Sequence, residues 1–511
     1  MNKFSELNYS RLNYKQTKEK LLNYKKEILN ASSYEDIRRA WLSMREYIQY
    51  LSYIEEMAYI RYLCGVSYNF YKEEVRIQNL EDPQIMVIQN ECDRLLINSP
   101  YVKEFELEFG HMIVNQLKNN SMLLNTSTSS LQAEEARLRM EYTSLLSSGQ
   151  DREALSEQFY DILDNLITVR SEMANALGYK SYIEMAYKLQ GRFDYGETEI
   201  ATFRTQIQKL ISPACKELRN SITLQYPDTD VRDAKGLIAV LKDMFSDISQ
   251  GSREYINYIF EHELFDITDR QFKRNNIFSC CMLPYKKAPF IIGAYHGNGS
   301  EANYLIHEFG HGYAFYTAAR SQKLYEYHRA SPSVNEIHSK AMEHFAYPYL
   351  DTFMGKQKNN YVRNHLFQSL DNLPYRCAID EFEHALYKDI KLTRIQRCEL
   401  WAEIERKYMS WRITDLQAIK QGTYWPNQSH LFTHPFYYIE YNIAQINVFE
   451  FYERSKHNYE QAWQDYTNLC ETGGSTNYFN LLKVGNLSNP FASNTVSMVC
   501  TPILEELYSL V

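Results

Sequence analysis

The sequence predicts a mainly α-helical protein with one small β-element, and three observations carry that reading. Glycine (18) and proline (13) are scarce in 511 residues, which leaves few breaks for a many-turned β-fold. Apolar residues recur at three-and-four spacing over long stretches. One short region, Phe278 to Ser300, has a different texture.

The first 115 residues read as successive amphipathic helices. In Leu51 to Tyr62 the residues Leu51, Ile54, Met57, Ala58 and Tyr62 share one helical face. Asn119 to Ser130, rich in Asn, Ser and Thr, reads as a loop. Ser130 is the expected cap of the next helix, whose Glu134 and Glu135 suit a positive helix N-terminus. Asp151 to Leu177 predicts another helix, with Gly178 at the C-cap position. Cys280 to Leu283 and Phe290 to Tyr295 are short β-favouring runs divided by Pro284 and Pro289, and they predict two strands. His296-Gly297-Asn298-Gly299-Ser300 then turns the chain into a helix, with Ser300 as its expected N-cap. The remainder is mostly helical, without an internal repeat.

Composition excludes several classes. A formal net charge of -9 argues against a nucleic-acid binder. No run of 18 apolar residues is present, so no membrane span is expected. Met1 to Ser10 is polar and lacks a signal-peptide core, which makes a cytoplasmic protein the expectation. The nine cysteines are scattered without a Cys-x-x-Cys pair, so neither a disulfide framework nor a thiolate zinc site is indicated. The 43 tyrosines suit half-buried helix faces.

His307-Glu308-Phe309-Gly310-His311 carries the chemistry. Four residues is slightly more than one helical turn, so both imidazoles leave the same face and can share one metal ion. Glu308 lies about 100° further round, placed to accept a proton from the attacking water. A catalytic zinc needs a third protein ligand and an open position. Ser331-Pro332-Ser333 is a strong helix start, and on that helix Glu336, Ser339 or Lys340, and Glu343 share a face. Glu336 is the candidate third ligand, and Glu343 the candidate acceptor for a ligand imidazole. Far downstream, His430, His434, Tyr437, Tyr438 and Tyr441 form a cluster. It suits either an aromatic helix face or neutral donors to an oxyanion.

With Glu336 placed 29 residues after His307, these motifs resemble the oligoendopeptidase F and thimet oligopeptidase family of zinc peptidases. Tyr285-Lys286-Lys287-Ala288-Pro289-Phe290-Ile291-Ile292 is similar to the family's strand before the metal helix. His434-Pro435-Phe436-Tyr437-Tyr438-Ile439-Glu440-Tyr441 is similar to its C-terminal His/Tyr signature. Arg170, Leu177-Gly178-Tyr179, Tyr187 and Arg192-Phe193-Asp194-Tyr195 resemble the segment leading into the catalytic region. Asn335 and the pair Cys280-Cys281 depart from the family pattern without removing a ligand.

The resemblance implies a multi-helix clamshell with a deep central channel and a small β-sheet next to the metal helix. It implies a helical N-terminal region over 1–195 and a catalytic region over 196–511. One zinc ion is expected on His307, His311 and Glu336, with cobalt or manganese as possible replacements. Catalysis would fall to Glu308, with Tyr438, Tyr441 and His434 stabilising the transition state. Substrate contacts are expected from Tyr437, His430 and the run Gly293, Ala294, Tyr295, His296 and Gly297. Gly293 to Tyr295 of that run are read as the end of an edge strand, Ile291 to Tyr295, able to pair with a peptide backbone. The Gly297-Asn298-Gly299 turn would leave room for it. The expected function is zinc-dependent hydrolysis of internal bonds in short unstructured peptides, with oligopeptides as partners and neither nucleic acid nor membrane. Two alternatives stand beside it. One is a helical zinc carboxypeptidase, whose His-Glu-Ser-Gln second helix is absent here. The other is a non-catalytic peptide-binding protein on the same fold.

Overall fold

The computed structural model describes residues 2–123, 128–146, 148, 150–151, 154–274, 277–412, 425 and 428–510. The chain is mainly α-helical with, among the described residues, one three-stranded sheet, and it groups into two compact units. The first comprises Met1–Ser121, Gln225–Arg363 and Glu450–Leu487; the second comprises Met122–Leu224, Asn364–Phe449 and Ser488–Val511. The expected division at 195/196 follows chain order, whereas compactness interleaves three segments in each unit.

In the first unit, three helices, Tyr14–Leu29, Tyr34–Leu63 and Tyr68–Ile97, pack on one another. Of the face read from the sequence, Leu51, Ile54, Met57 and Ala58 are buried and Tyr62 is half-buried. Removing side chains of this size from water contributes about 1.5–3 kcal/mol each for the larger ones. Helix Tyr34–Leu63 also packs against the sheet.

The sheet consists of β1 (Phe265–Asp266), β2 (Ser279–Leu283) and β3 (Ala288–Ile292), in the order β1-β3-β2. β3 runs parallel to β1 and antiparallel to β2, with Cys280 opposite Ile291. All five residues of β3 are buried, as an apolar run without alternation requires. β3 is therefore the central strand, and the expectation of an edge at Ile291 is corrected. Its neighbour β1 is two residues long, too short to show any periodicity.

Helix Gly299–Ser321 packs on β3, on helix Pro332–Phe345 and on helix Tyr459–Thr472. It is buried on several sides at once, with Leu305, Ile306, Phe309, Tyr313 and Phe315 all inside, so it has no single apolar stripe. Its cap is Asn298, whose Oδ1 accepts from Ser300 N at 2.7 Å and from Ser300 Oγ at 2.6 Å. Ser300 is thus the second helical residue and not the cap; Asn is as strong a cap as Ser, and the helix starts earlier.

In the second unit, helix Ser156–Ala176 ends before Gly178, which has φ +79°. Helix Ser129–Leu146 packs on it, so Ser130 lies within the helix. Of the expected 119–130 loop, 119–123 continue helix His111–Leu123, and 124–127 fall outside the described residues. Tyr142 stacks on Phe432 with ring centroids 3.9 Å apart. All nine cysteines are free thiols, and Cys280 alone is half-buried. Among the described residues no helix is long and apolar enough to cross a membrane.

Candidate metal centre

Two consecutive helices of the first unit build the centre, and a glycine in the motif lets them approach. A Cβ on Gly310 would lie 2.8 Å from Met342 Cβ and 2.9 Å from Ser339 Cα. Any larger residue there would push helix Pro332–Phe345 away and carry Glu336 with it.

The imidazoles of His307 and His311 stand nearly perpendicular, with centroids 4.8 Å apart. Glu336 Oε2 lies 3.5 Å from His307 Nε2 and 3.9 Å from His311 Nε2. The three donor atoms all fall within 4.8 Å of one another. Donors on a tetrahedral zinc stand roughly 3.4 Å apart, given bonds near 2.1 Å. Two imidazoles and one carboxylate at this spacing fit one divalent ion and leave a coordination position open. The His side chains are 18% and 19% exposed against 6% for Glu336, so the open side lies toward the histidines.

The surroundings orient these donors. His307 Nδ1 donates to Glu343 Oε1 at 2.6 Å, which leaves Nε2 as the atom turned to Glu336. Asn303 Nδ2 donates to Glu343 Oε2 at 3.0 Å, and Tyr361 OH donates to Asn303 Oδ1 at 2.6 Å. Ser339 Oγ donates to Glu336 Oε2 at 3.2 Å. Asn335, the departure noted in the sequence, accepts from Ala330 N and donates to Ala330 O, closing the turn into the helix. Asn303 and Tyr361 were not singled out from the sequence. Asn303 had a signal, since 303, 307 and 311 lie on one helical face; Tyr361 had none.

Burial pushes the Glu308 carboxyl up to about 7, with the charges of Glu336 and Glu343 adding to it. His307 and the Cys280 backbone N–H act in the opposite direction. Burial pulls His307 down, but its hydrogen bond to Glu343 and the carboxylates of Glu343, Glu336 and Glu308 outweigh it and raise the imidazole. Burial, His307 and Arg329 hold His311 well below the usual range, which keeps a lone pair available for a metal.

The Gly293–Gly297 run bonds to the chain's own segments through several of its backbone groups. The backbone N–H groups of Ile291, Gly293 and Tyr295 donate to Leu264 O, Asp266 O and Ile267 O. His296 N donates to Glu301, and Gly297 O accepts from Thr229 N at 3.0 Å. Gly297 has φ +93°, and a Cβ there would meet Arg232 at 3.3 Å. The room left by the turn is thus taken by the chain's own 227–232 segment. Ala294 and Tyr295 are buried. The strand beside Glu308 is β2, through Cys280.

The His/Tyr cluster forms in the second unit. His430 stacks on Tyr438 at 4.4 Å and lies 6.3 Å from Tyr441, edge to face. Tyr437 lies 6.2 Å from His430 and 5.6 Å from Tyr441. His434 is exposed and bonds Thr433 Oγ1 at 3.0 Å. Burial pulls His430 down to about 4, with His434 and Arg376 adding to the effect, so its ring is neutral at pH 7.

Distant residues shape this segment. Arg170 donates to Leu431 O at 3.2 Å and Phe432 O at 2.5 Å. Arg192 donates to Phe436 O and to Glu440 Oε1, each at 2.6 Å. Phe436 adopts φ +63°, a left-handed conformation uncommon for a bulky residue, and its N–H donates to Glu383 Oε1 at 3.0 Å. Glu383 and Arg376 were missed from the sequence, where each sits unmarked in helix Lys358–Lys388.

Comparison with known proteins agrees with this architecture. The model described as the peptidase M3 N-terminal domain matches residues 4–124, and the peptidase family M3 model matches 254–501. Oligopeptidase PepF of Bacillus subtilis (strain 168) is 25% identical over 209 residues, which is 40% of this chain and 29% of that protein. This chain therefore spans less than a third of that relative in the match. The solved structure of PZ peptidase A with an inhibitor superposes with a TM-score of 0.90 at 30% identity, covering 99% of both chains. A structure described as an oligoendopeptidase F gives a TM-score of 0.91 at 28% identity, covering 100% of this chain and 99% of that one. Another so described, from Bacillus anthracis str. Ames, gives 0.85 at 27% identity with the same coverage. With family models over both its N-terminal and its motif-bearing segments, and full-length structural relatives at up to 30% identity, the chain belongs to peptidase family M3.

Proposed function

We propose that the chain is a zinc-dependent oligoendopeptidase that cleaves internal bonds of short, unstructured peptides. The observation that carries this reading is the convergence of His307, His311 and Glu336 donor atoms within 4.8 Å, with the buried Glu308 carboxyl next in sequence to His307. Zinc held by those three residues would supply Lewis acidity toward a peptide carbonyl and toward water. Glu308 takes a proton from the attacking water and returns it to the leaving amine. Glu343 keeps His307 in the tautomer that turns Nε2 inward. Tyr438 and Tyr441 donate to the developing oxyanion, with His434 assisting and His430 and Tyr437 contacting substrate. The resemblance of the 434–441 segment to the family signature supports these roles. Catalysis is assigned to 196–511, with 1–195 as the helical N-terminal region. The partners are oligopeptides and not nucleic acid, in keeping with the net charge of -9, and the protein acts in the cytoplasm, away from membranes.

The test is mass-spectrometric analysis of a mixed oligopeptide pool incubated with the zinc-loaded protein and with Glu308→Gln. The expected result is internal cleavage by the first and a loss of about 10²–10⁴-fold in the second, the usual contribution of a general base. Removal of single C-terminal residues would favour a carboxypeptidase instead. Uncut peptide in zinc-containing protein would leave a binding protein.

A further inference from the structure

Among the described residues, the guanidinium of Arg376 sits in the His/Tyr cluster without a carboxylate partner. Its carbon lies 5.4 Å from the centre of the Tyr438 ring and 5.1 Å from that of Tyr441, within reach of a cation–π attraction. Nε and Nη1 are buried, and neither has a hydrogen-bond partner among the described residues. Among the described residues no carboxylate lies within 4 Å of it; other arginines of the second unit, Arg170, Arg192, Arg204 and Arg397, all have one. Glu405, which acts on the neighbouring Tyr375, pairs with Arg412. Aromatic faces compensate a desolvated cation only in part. The residue as a whole remains half-buried, so an approach to it stays open.

We propose that Arg376 is a specificity-determining residue whose guanidinium takes a carboxylate of the peptide substrate, either the C-terminal one or that of an acidic side chain. The proposal rests on the peptidase reading above. An uncompensated guanidinium beside neutral rings gains more from a carboxylate than a paired one, because no existing ion pair is broken. The phenol of Tyr438 or Tyr441 next to it would meet the same bound peptide. His430, neutral at pH 7, adds no second cation and leaves Arg376 as the charge that selects. Planar guanidinium geometry favours carboxylate over other anions of one charge.

The experiment titrates one oligopeptide, prepared in four forms, into full-length Glu308→Gln protein by calorimetry. The forms combine a free or amidated C-terminus with Glu or Gln at one internal position. A carboxylate form is expected to bind about ten- to hundredfold tighter than its neutral twin, the range for hydrogen bonds to charged groups. Whether the terminal or the internal carboxylate carries the difference identifies the source. Adding Arg376→Met should erase the preference, while Arg376→Lys keeps part of it. Arg376→Met should also melt no lower than the parent, since it removes a half-buried cation that has no carboxylate partner among the described residues. Equal binding of all four forms, or a preference that survives Arg376→Met, overturns the proposal. So does a lower melting temperature with the preference intact, the mark of a merely structural cation. Failure of the wild-type protein to cut the peptide pool would sink the peptidase reading while leaving this binding preference standing.

Discussion

The candidate metal centre and the His/Tyr cluster are held in place by opposite means. His307, His311, Glu336 and Glu343 come from two consecutive helices, and their nearest supports, Asn303 and Ser339, lie on the same helices. The cluster occupies a shorter stretch, 430–441, yet its backbone is fixed by Arg170 and Arg192, more than 240 residues away in sequence. A centre on regular helices takes its geometry from periodicity. A bent segment with a left-handed Phe436 has no such internal rule and depends on what grips it. The two regions should therefore fail differently, one by losing metal and the other by losing shape.

The largest effect is expected where the grip is ionic and buried. Arg192 and Glu440 are both fully enclosed, and Tyr195 OH adds a longer bond to Glu440 at 3.4 Å. Arg192→Met removes the cation and leaves the carboxylate buried, which should destabilise the protein by about 3–5 kcal/mol. Denaturant unfolding measures this, and zinc content should be unchanged in the folded protein. A variant of undiminished stability would show that Phe436 and Glu440 are held by other means, and the contrast between the regions would weaken.

Glu343→Gln probes the other region. Gln can still hydrogen-bond His307 Nδ1, but it withdraws the charge that raises the imidazole. Metal affinity should fall about 10–100-fold, the usual result for changing a partner of a ligating histidine. Competition with a chelator reads it, and the stability of the metal-free protein should move much less than in Arg192→Met. Unchanged affinity would mean that the helices alone set the ligand geometry.

The same contrast explains what the sequence disclosed. His307, His311, Glu336 and Glu343 were legible because spacings of three, four and seven map directly onto a helix face. Arg170 and Arg192 could be noticed only through resemblance, since nothing local tells which carbonyl an arginine will reach. The Ile291–Tyr295 run failed for a related reason. Its partner β1 spans two residues, and an apolar strand reads alike at an edge or in the middle of a small sheet. Gly297 was legible as a turn; what fills the space beside it, the 227–232 segment, was not.

Glu383→Gln is the finest test of the distant grip. Glu383 Oε1 accepts the Phe436 N–H, and Oε2 is buried without a hydrogen-bond partner. Burial, reinforced by Asp380, pushes this carboxyl up to about 8, above its unfolded value near 4.3. The folded protein therefore keeps a proton that the unfolded chain gives up. The stability this contributes is fully present below the unfolded pKa and is lost as pH rises toward 8, by at most about 1.4 kcal/mol per pH unit. Asp380, held down to about 2 by His384 and Arg204 against its burial, stays ionised across this window and adds no slope. Gln retains an acceptor for Phe436 but carries no proton to lose. Denaturant midpoints at pH 6 and pH 7 should accordingly differ less in Glu383→Gln than in the parent. Parallel curves would mean that Glu383 is already ionised. Phe436 would then be gripped by a charge, as Glu440 is by Arg192, and the cluster would depend on ionic contacts alone.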